Sequence, residues 1–324
     1  MAAMESLGAY SMKSSTSSSH TNNNNEGINH NIDNTMRDFD SKTIDLCMLS
    51  VESVISQGSI SSVFKASYYG QDVVVKVLVV EQLCQRAKDS VKKLFDGEVS
   101  MWSMLDHPNI IKFVGASRDL CMVSEYLHGG TLKSYLSNAI TYLSLKTVIQ
   151  LALDLARGLS YLHSKDIVHG DVKIENMILD ERHQLKIADF GVPRLVSLVQ
   201  GKMIGQAGRL GCMAPEVRAG KPYDTKCDVY SFGICLWEIY CCKTPFSPPK
   251  FANEASTVYN KDLRPEIPKW CPKSLAKIMK RCWSSNPKKR PEMKDVVSSL
   301  ECIDTSKGGG MTSNDQAHCS CFFH

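Results

Sequence analysis

The chain has 324 residues, 43% of them hydrophobic, and a formal charge of +4 at pH 7. Its length allows a large core in about two domains or lobes. So small a charge gives no argument for nucleic acid and only a weak one for an anionic membrane. Thirteen cysteines are scattered without a CxxC pair or a Cys/His array at zinc spacing. The count is odd and no secretory apolar segment opens the chain, so a reducing cytoplasm is the expected compartment, with the nucleus as an alternative. Val73–Val80 is broken by Lys76, and Phe232–Cys242 is half of the roughly 20 residues that a membrane span requires.

In chain order, residues 1–45 are rich in Ser and Asn, poor in periodic apolar residues, and predict a disordered tail open to control by phosphorylation. Order is expected from about Leu49. Val51–Ser67 alternates around a Gly/Ser turn and predicts a hairpin, and Gln71–Val80 predicts a third strand with β-branched residues on both sides of Lys76. Lys88–Leu105 predicts a helix stopped by His107-Pro108, and Cys121–Tyr126 predicts a strand broken by Gly129-Gly130. Helices then dominate. Val148, Leu151, Ala152, Leu155, Ala156, Leu159 and Leu162 repeat at helical spacing within Ser144–Ser164. Asp228–Cys241 is apolar nearly all round and predicts a buried central helix. Leu275, Ile278, Met279, Cys282 and Trp283 form one more stripe, and Met293, Val296, Val297 and Leu300 the last, after Pro291.

The chemistry concentrates in His169-Gly170-Asp171-Val172-Lys173-Ile174-Glu175-Asn176, followed by Asp189-Phe190-Gly191. This sets an Asp, a Lys and an Asn at the spacing phosphoryl transfer needs, then a second Asp ahead of a flexible Gly. Upstream stand Lys76 in Val73-Val74-Val75-Lys76 and Glu98 in Phe95-Asp96-Gly97-Glu98-Val99, with His107-Pro108-Asn109-Ile110 beyond. Taken singly, each residue has an ordinary explanation: a strand lysine reaching solvent, a solvated helix glutamate, an aspartate in a turn or cap. The inference rests on the whole set occurring in order.

Across residues 50–302 the chain resembles the eukaryotic protein kinases. Ala214-Pro215-Glu216 matches the A-P-E motif, Asp228-Val229-Tyr230-Ser231-Phe232-Gly233 the start of the central helix, and Arg290 the arginine that pairs with the A-P-E glutamate, here Glu216. In detail, Ala156–His163, Lys226–Tyr240 and Lys280–Trp283 are similar to plant Raf-like kinases of the MAP-kinase-kinase-kinase type. The resemblance implies an α+β, bilobal fold: a small β-rich N-lobe with one main helix over about 50–125, a larger helical C-lobe over about 128–302, and a flexible tail over 303–324. It implies an ATP-dependent serine/threonine kinase of intracellular signalling that uses Mg²⁺, or Mn²⁺ in its place. By the same resemblance Asp171 accepts the substrate hydroxyl proton, Lys173 steadies the γ-phosphoryl group, and Asn176 and Asp189 hold the metal ions. Lys76 pairs with the α/β-phosphates and Glu98 orients it. Gly58 and Val63 belong to the phosphate loop, Ser124 is the gatekeeper, and Glu125 and Leu127 hold adenine through backbone groups. The implied partners are protein substrates phosphorylated on Ser/Thr, downstream kinases among them, and no nucleic acid.

The chain also departs from the pattern. The phosphate loop G-x-G-x-x-G-x-V reads Ser56-Gln57-Gly58-Ser59-Ile60-Ser61-Ser62-Val63, so weakened ATP affinity is expected. Gly170 replaces the catalytic-loop arginine that receives an activation-loop phosphate. Between Gly191 and Ala214 the single hydroxyl is Ser197, and Ala207 and Arg209 stand where the resembling kinases carry Thr. Two readings stay open: an active kinase independent of loop phosphorylation, and a pseudokinase that acts as a scaffold or allosteric partner. The six first-line residues, Lys76, Glu98, Asp171, Lys173, Asn176 and Asp189, favour the first. Gly308-Gly309-Gly310 opens the final tail, where S-acylation of Cys319 or Cys321 is the one route to peripheral membrane association; Phe322, Phe323 and His324 disfavour prenylation, and Ala2 excludes N-myristoylation.

Overall fold

In a computed structural model, the structure describes residues 42–58, 61–80, 83–139, 143–189, 211–245 and 263–306. The chain divides into two compact units, one holding the residues up to 106 together with 111–126, the other holding 107–110 and the residues from 127 onward, Arg194–Lys202 excepted.

The first unit is a five-stranded antiparallel sheet with one helix. Its strands are β1 (Leu49–Gln57), β2 (Ser61–Tyr68), β3 (Gln71–Leu78), β4 (Phe113–Ser117) and β5 (Cys121–Glu125), in the order β1-β2-β3-β5-β4. Side chains alternate across a pleated strand, and the register sorts them into two sets. Phe64, Ala66, Val73, Val75, Cys121 and Val123 pack into one buried cluster. Val63, Lys76 and Met122 are cross-strand neighbours on the opposite face, as are Lys65, Val74 and Ser124. The helix α1 (Gln85–Ser103) buries Val91, Phe95, Glu98, Val99 and Trp102 and packs on β4. β4 escaped the sequence reading because Phe113-Val114-Gly115-Ala116-Ser117 is short and mostly small residues.

The start of the fold differs from expectation. Residues 1–41 lie outside the described residues, but Lys42–Ile44 runs along β4. Ile44 N donates to Ala116 O at 2.9 Å, and Ala116 N donates to Lys42 O at 3.0 Å. Ile44, 6% exposed, completes the buried cluster. One isolated isoleucine leaves no periodic signal, so the sequence placed the first order near Leu49.

The second unit is mainly helical: α2 (Leu132–Ser137), α3 (Leu145–His163), α4 (Pro215–Arg218), α5 (Lys226–Cys241), α6 (Lys273–Cys282) and α7 (Met293–Glu301), with the short hairpin β6 (Met177–Leu179) and β7 (Leu185–Ile187). Thr131 and Ser144 cap α2 and α3 by accepting from the third residue onward. In α5 every residue from Cys227 to Cys241 is buried, including Asp228 and Glu238. α6 packs on α5, and α7 on α3.

Burial also sorts the thiols. Cys121, Cys227, Cys235, Cys241, Cys271 and Cys282 are buried, Cys212 and Cys242 are half-buried, and Cys47, Cys84 and Cys302 are exposed. Among the described residues no helix is long and apolar enough to cross a membrane.

Candidate active site

The second unit holds a dense polar cluster built on α5. Asp228, 1% exposed in the first turn of that helix, accepts from His169 N at 2.8 Å through Oδ2 and from Gly170 N at 2.8 Å through Oδ1. His163 Nε2, at the end of α3, lies 3.1 Å from Asp228 Oδ2. One buried carboxylate therefore ties α3, α5 and the segment entering Asp171.

His169 continues the chain of contacts. Its Nδ1 accepts from Asp171 N at 3.1 Å, so the ring hydrogen sits on Nε2, which donates to Ala188 O at 3.0 Å. Gly170, between them, has a φ of +75°. Side chains other than Gly reach that left-handed region at a cost of roughly 1–2 kcal/mol, so this position suits glycine.

Asp171 Oδ2 takes two donors, Lys173 Nζ at 2.8 Å and Asn176 Nδ2 at 3.0 Å. Asn176 Nδ2 also donates to Asp171 O at 3.0 Å. With both amide hydrogens given to Asp171, the amide orientation is fixed and Oδ1 lies on its other side. Ala188 N donates to Asn176 O at 2.9 Å, and pairing of Met177 with Ile187 in the β6–β7 hairpin holds the two chain segments in step. Asp189 follows directly, with a φ of +63°. The structure thus gathers Asp171, Lys173 and Asn176 in direct contact and brings the Asp189 backbone alongside. Phe190, Gly191, Ser197, Ala207, Arg209, Cys319 and Cys321 lie outside the described residues.

An open pocket beside this cluster is lined by Gly170, Asp171, Lys173, Cys212, Ala214 and Ser231, among others. Ser231 Oγ is 2.8 Å from Cys212 O, which ties the pocket wall to α5. Behind that wall Glu238 is 3% exposed. Burial, with the Glu175 carboxylate nearby, pushes its carboxyl up to about 8. The Ala214-Pro215-Glu216 end of the wall is fixed by Arg290, whose Nη1 and Nη2 donate to the two Glu216 oxygens at 2.6 and 2.9 Å. Arg290 also donates to Ser284 O and Lys226 O, both at 2.8 Å.

The first unit carries the other expected residues. Lys76 is central in β3, opposite Val63 on β2 and Met122 on β5. Glu98 lies on the buried face of α1 at 7% exposure. Ser124, 7% exposed, pairs with Val74. Glu125 N donates to Lys112 O at 3.0 Å, and Glu125 Oε1 accepts from Lys112 N at 2.7 Å. Gly58 N donates to Ser61 O at 2.8 Å, closing the β1–β2 hairpin. Leu127, half-buried, opens the second unit. Sequence reasoning missed the roles of His163, His169 and Glu238. A histidine two residues before an Asp/Lys/Asn set at catalytic-loop spacing is a usable signal for the second; an acid inside an apolar helix is one for the third.

Comparison with known proteins identifies the family of the chain. Residues 49–300 match the profile of the protein tyrosine and serine/threonine kinase family. Over 279 residues the chain is 36% identical to the serine/threonine/tyrosine-protein kinase HT1 of Arabidopsis thaliana, covering 85% of this chain and 71% of that kinase. It is 36% identical over 268 residues to the Arabidopsis thaliana serine/threonine-protein kinase STY46, covering 82% of this chain and 46% of the relative. A dual specificity protein kinase of Dictyostelium discoideum, shkA, is 34% identical over 287 residues, covering 83% of this chain and 53% of the relative. The chain thus spans about half the length of the latter two.

Proposed function

The chain belongs to the protein tyrosine and serine/threonine kinase family, and from that premise we propose that it is an active, ATP-dependent kinase of protein serine and threonine residues in intracellular signalling. The observation that carries this reading is the bonded set of Asp171, Lys173 and Asn176, held from below by Asp228. Phosphoryl transfer asks a protein mainly for positioning and charge, and this set supplies both. Asp171 takes the proton of the substrate hydroxyl, and its rotamer is fixed by the two donors on Oδ2. Lys173, already beside that carboxylate, supplies positive charge where the phosphoryl group passes. The pocket lined by Cys212, Ala214 and Ser231 receives the substrate chain. Lys76 takes the α/β-phosphates, Glu98 orients Lys76, the small Ser124 leaves a back pocket open beside the adenine site, and Glu125 and Leu127 offer adenine their backbone groups.

The donor set fits Mg²⁺. Asn176 presents an amide oxygen on the side away from Asp171, and Asp189 adds a carboxylate, both hard oxygen donors of the kind this ion prefers. Bound Mg²⁺·ATP supplies the transferable phosphoryl group and offsets the charge that develops on it. Gly58 N is engaged by Ser61 O, and with Ser56 and Ser61 in the loop this supports a weak grip on the phosphates. Gly170 in place of an arginine, with a left-handed backbone that glycine adopts freely, supports a catalytic loop that needs no phosphorylated partner.

The test is Mg²⁺-dependent transfer of labelled γ-phosphate by purified protein, to itself and to a generic Ser/Thr substrate, beside Lys76→Met and Asp171→Asn. Transfer by the wild type, lost in both variants, is the expected result. Nucleotide binding without transfer would assign the chain to the pseudokinases, as a scaffold or allosteric partner.

A further inference from the structure

We propose that Lys42–Ile44 is a positioning strap for α1, and that Lys42 acts through this helix on Glu98, so that the segment preceding the kinase fold sets the activity of the site. The proposal rests on the reading of Glu98 as the residue that orients Lys76.

The strap is anchored at both of its ends. Ile44 is buried with Phe64, Ala66 and Val123, and its N–H extends the sheet at Ala116. At the other end Lys42 Nζ donates to Ser103 O at 2.5 Å. Ser103 is the last residue of α1, and the helix has no basic residue of its own in that last turn. The last-turn carbonyls Ser100 O, Met101 O and Trp102 O accept from Ser103 Oγ, Met104 N and Leu105 N, and together with Ser103 O they carry the negative end of the helix dipole. Lys42 supplies the missing cation from outside.

The contact continues into the helix. Lys42 Nζ stands over the Phe113 ring at 5.7 Å, and that ring packs against Trp102 at 5.3 Å between centroids. Trp102 Nε1 donates to Ile111 O at 3.0 Å. Trp102 lies four residues after Glu98, on the same buried face of α1. The strap, β4 and the last turn of α1 therefore form one packed unit, with Glu98 a turn away. Gly115 is shaped to it: a Cβ there would lie 2.5 Å from Lys42 O and 2.7 Å from Ile44 Cδ1. Glycine lets the strap lie on β4, and a larger residue lifts it off.

Lys42→Ala, Lys42→Arg and Gly115→Val test this in the full chain. Lys42→Ala and Gly115→Val should each lower kcat/KM for ATP about tenfold, the scale of a sub-ångström misplacement, and Lys42→Arg should restore most of it. In a Glu98→Gln background, Lys42→Ala should add less than about twofold, because the route through Glu98 is already cut. Full additivity there would overturn the proposal. A second readout does not depend on catalysis. Amide hydrogen exchange at Met104 and Leu105, which close the last turn of α1 by donating to Met101 O and Trp102 O, should quicken in Lys42→Ala. Unchanged exchange would overturn the strap even if the wild type transfers no phosphate, whereas faster exchange in an inactive protein would sustain the strap and sink only the catalytic reading.

Discussion

Asp228→Asn is the sharpest probe of how the catalytic loop is held. The substitution keeps shape and changes one oxygen into a donor. In one amide orientation the new NH₂ faces Gly170 N–H, and in the other it faces His169 N–H and His163 Nε2. The first is cheaper, since beside the Gly170 bond it disturbs only the long contact from Cys227 Sγ at 3.8 Å. A hydrogen bond to a charged group contributes about 1.5–3 kcal/mol, and a buried donor left unpaired costs about 1–3 kcal/mol. With Asp228 1% exposed, no water relieves the site, and a loss of about 2–4 kcal/mol follows. For a domain of this size that lowers Tm by about 5–15 °C. Gly170 directly precedes Asp171, so release of its N–H shifts the general base. A shift near 1 Å lowers kcat by about 10²-fold, with KM for ATP little changed. Thermal melting and steady-state phosphotransfer on the same preparation measure both. A variant with Tm unchanged and kcat within threefold of wild type would refute the assignment of Asp228 as the anchor.

Arg290→Met leaves Glu216 buried and uncompensated, with the Ser284 and Lys226 carbonyls stripped of their donor. A loss of about 3–5 kcal/mol is expected in urea unfolding, and Arg290→Met/Glu216→Leu should recover most of it. Glu238 is raised from its ordinary 4.5 to about 8 by burial and by Glu175. The folded state therefore holds a proton that the unfolded state releases, and stability falls as pH rises from about 4.5 to 8. Glu238→Gln should match wild type near pH 4 and exceed it by a few kcal/mol above pH 8; parallel stability curves would contradict this. Ser124→Met should weaken a bulky ATP-competitive inhibitor by at least about tenfold while sparing KM for ATP, and equal inhibitor affinity would show that no back pocket opens there.

Local pattern made much of this legible. β-branched alternation pointed to β2 and β3, helical spacing placed α1 and α3 within a few residues of their ends, and the apolar stripes of α6 and α7 fall on helices. The spacing Asp171-x-Lys173-x-x-Asn176 predicted a cluster whose members do touch. Glu216 and Arg290 pair as the resemblance implied. What stayed hidden depends on contacts far apart in sequence. Nothing local distinguishes Lys42 from a tail lysine until Ser103 stands above it. His169 carries two ring bonds that become visible only when Ala188 folds back through the β6–β7 hairpin. Glu238 interrupts an otherwise apolar helix, and the groups around it, Cys212 with its Sγ at 3.9 Å and the Glu175 carboxylate, come from segments far away in sequence. The short strands β4, β6 and β7 hold too few residues for a period to register.

The distribution of thiols has a practical consequence. Buried sulfur, with its thiol pushed up as at Cys121 and Cys282, to about 12 in each, gives little thiolate for a maleimide to attack. Cys47 and Cys84 are exposed, one in the turn just after the strap and the other at the N-cap of α1. Once Cys302, Cys319 and Cys321, and the half-buried Cys212 and Cys242, are changed to Ser, the two remaining exposed thiols offer a pair of attachment points for dyes or spin labels. Their separation follows α1 relative to its tether in real time, without a single residue being introduced into the core.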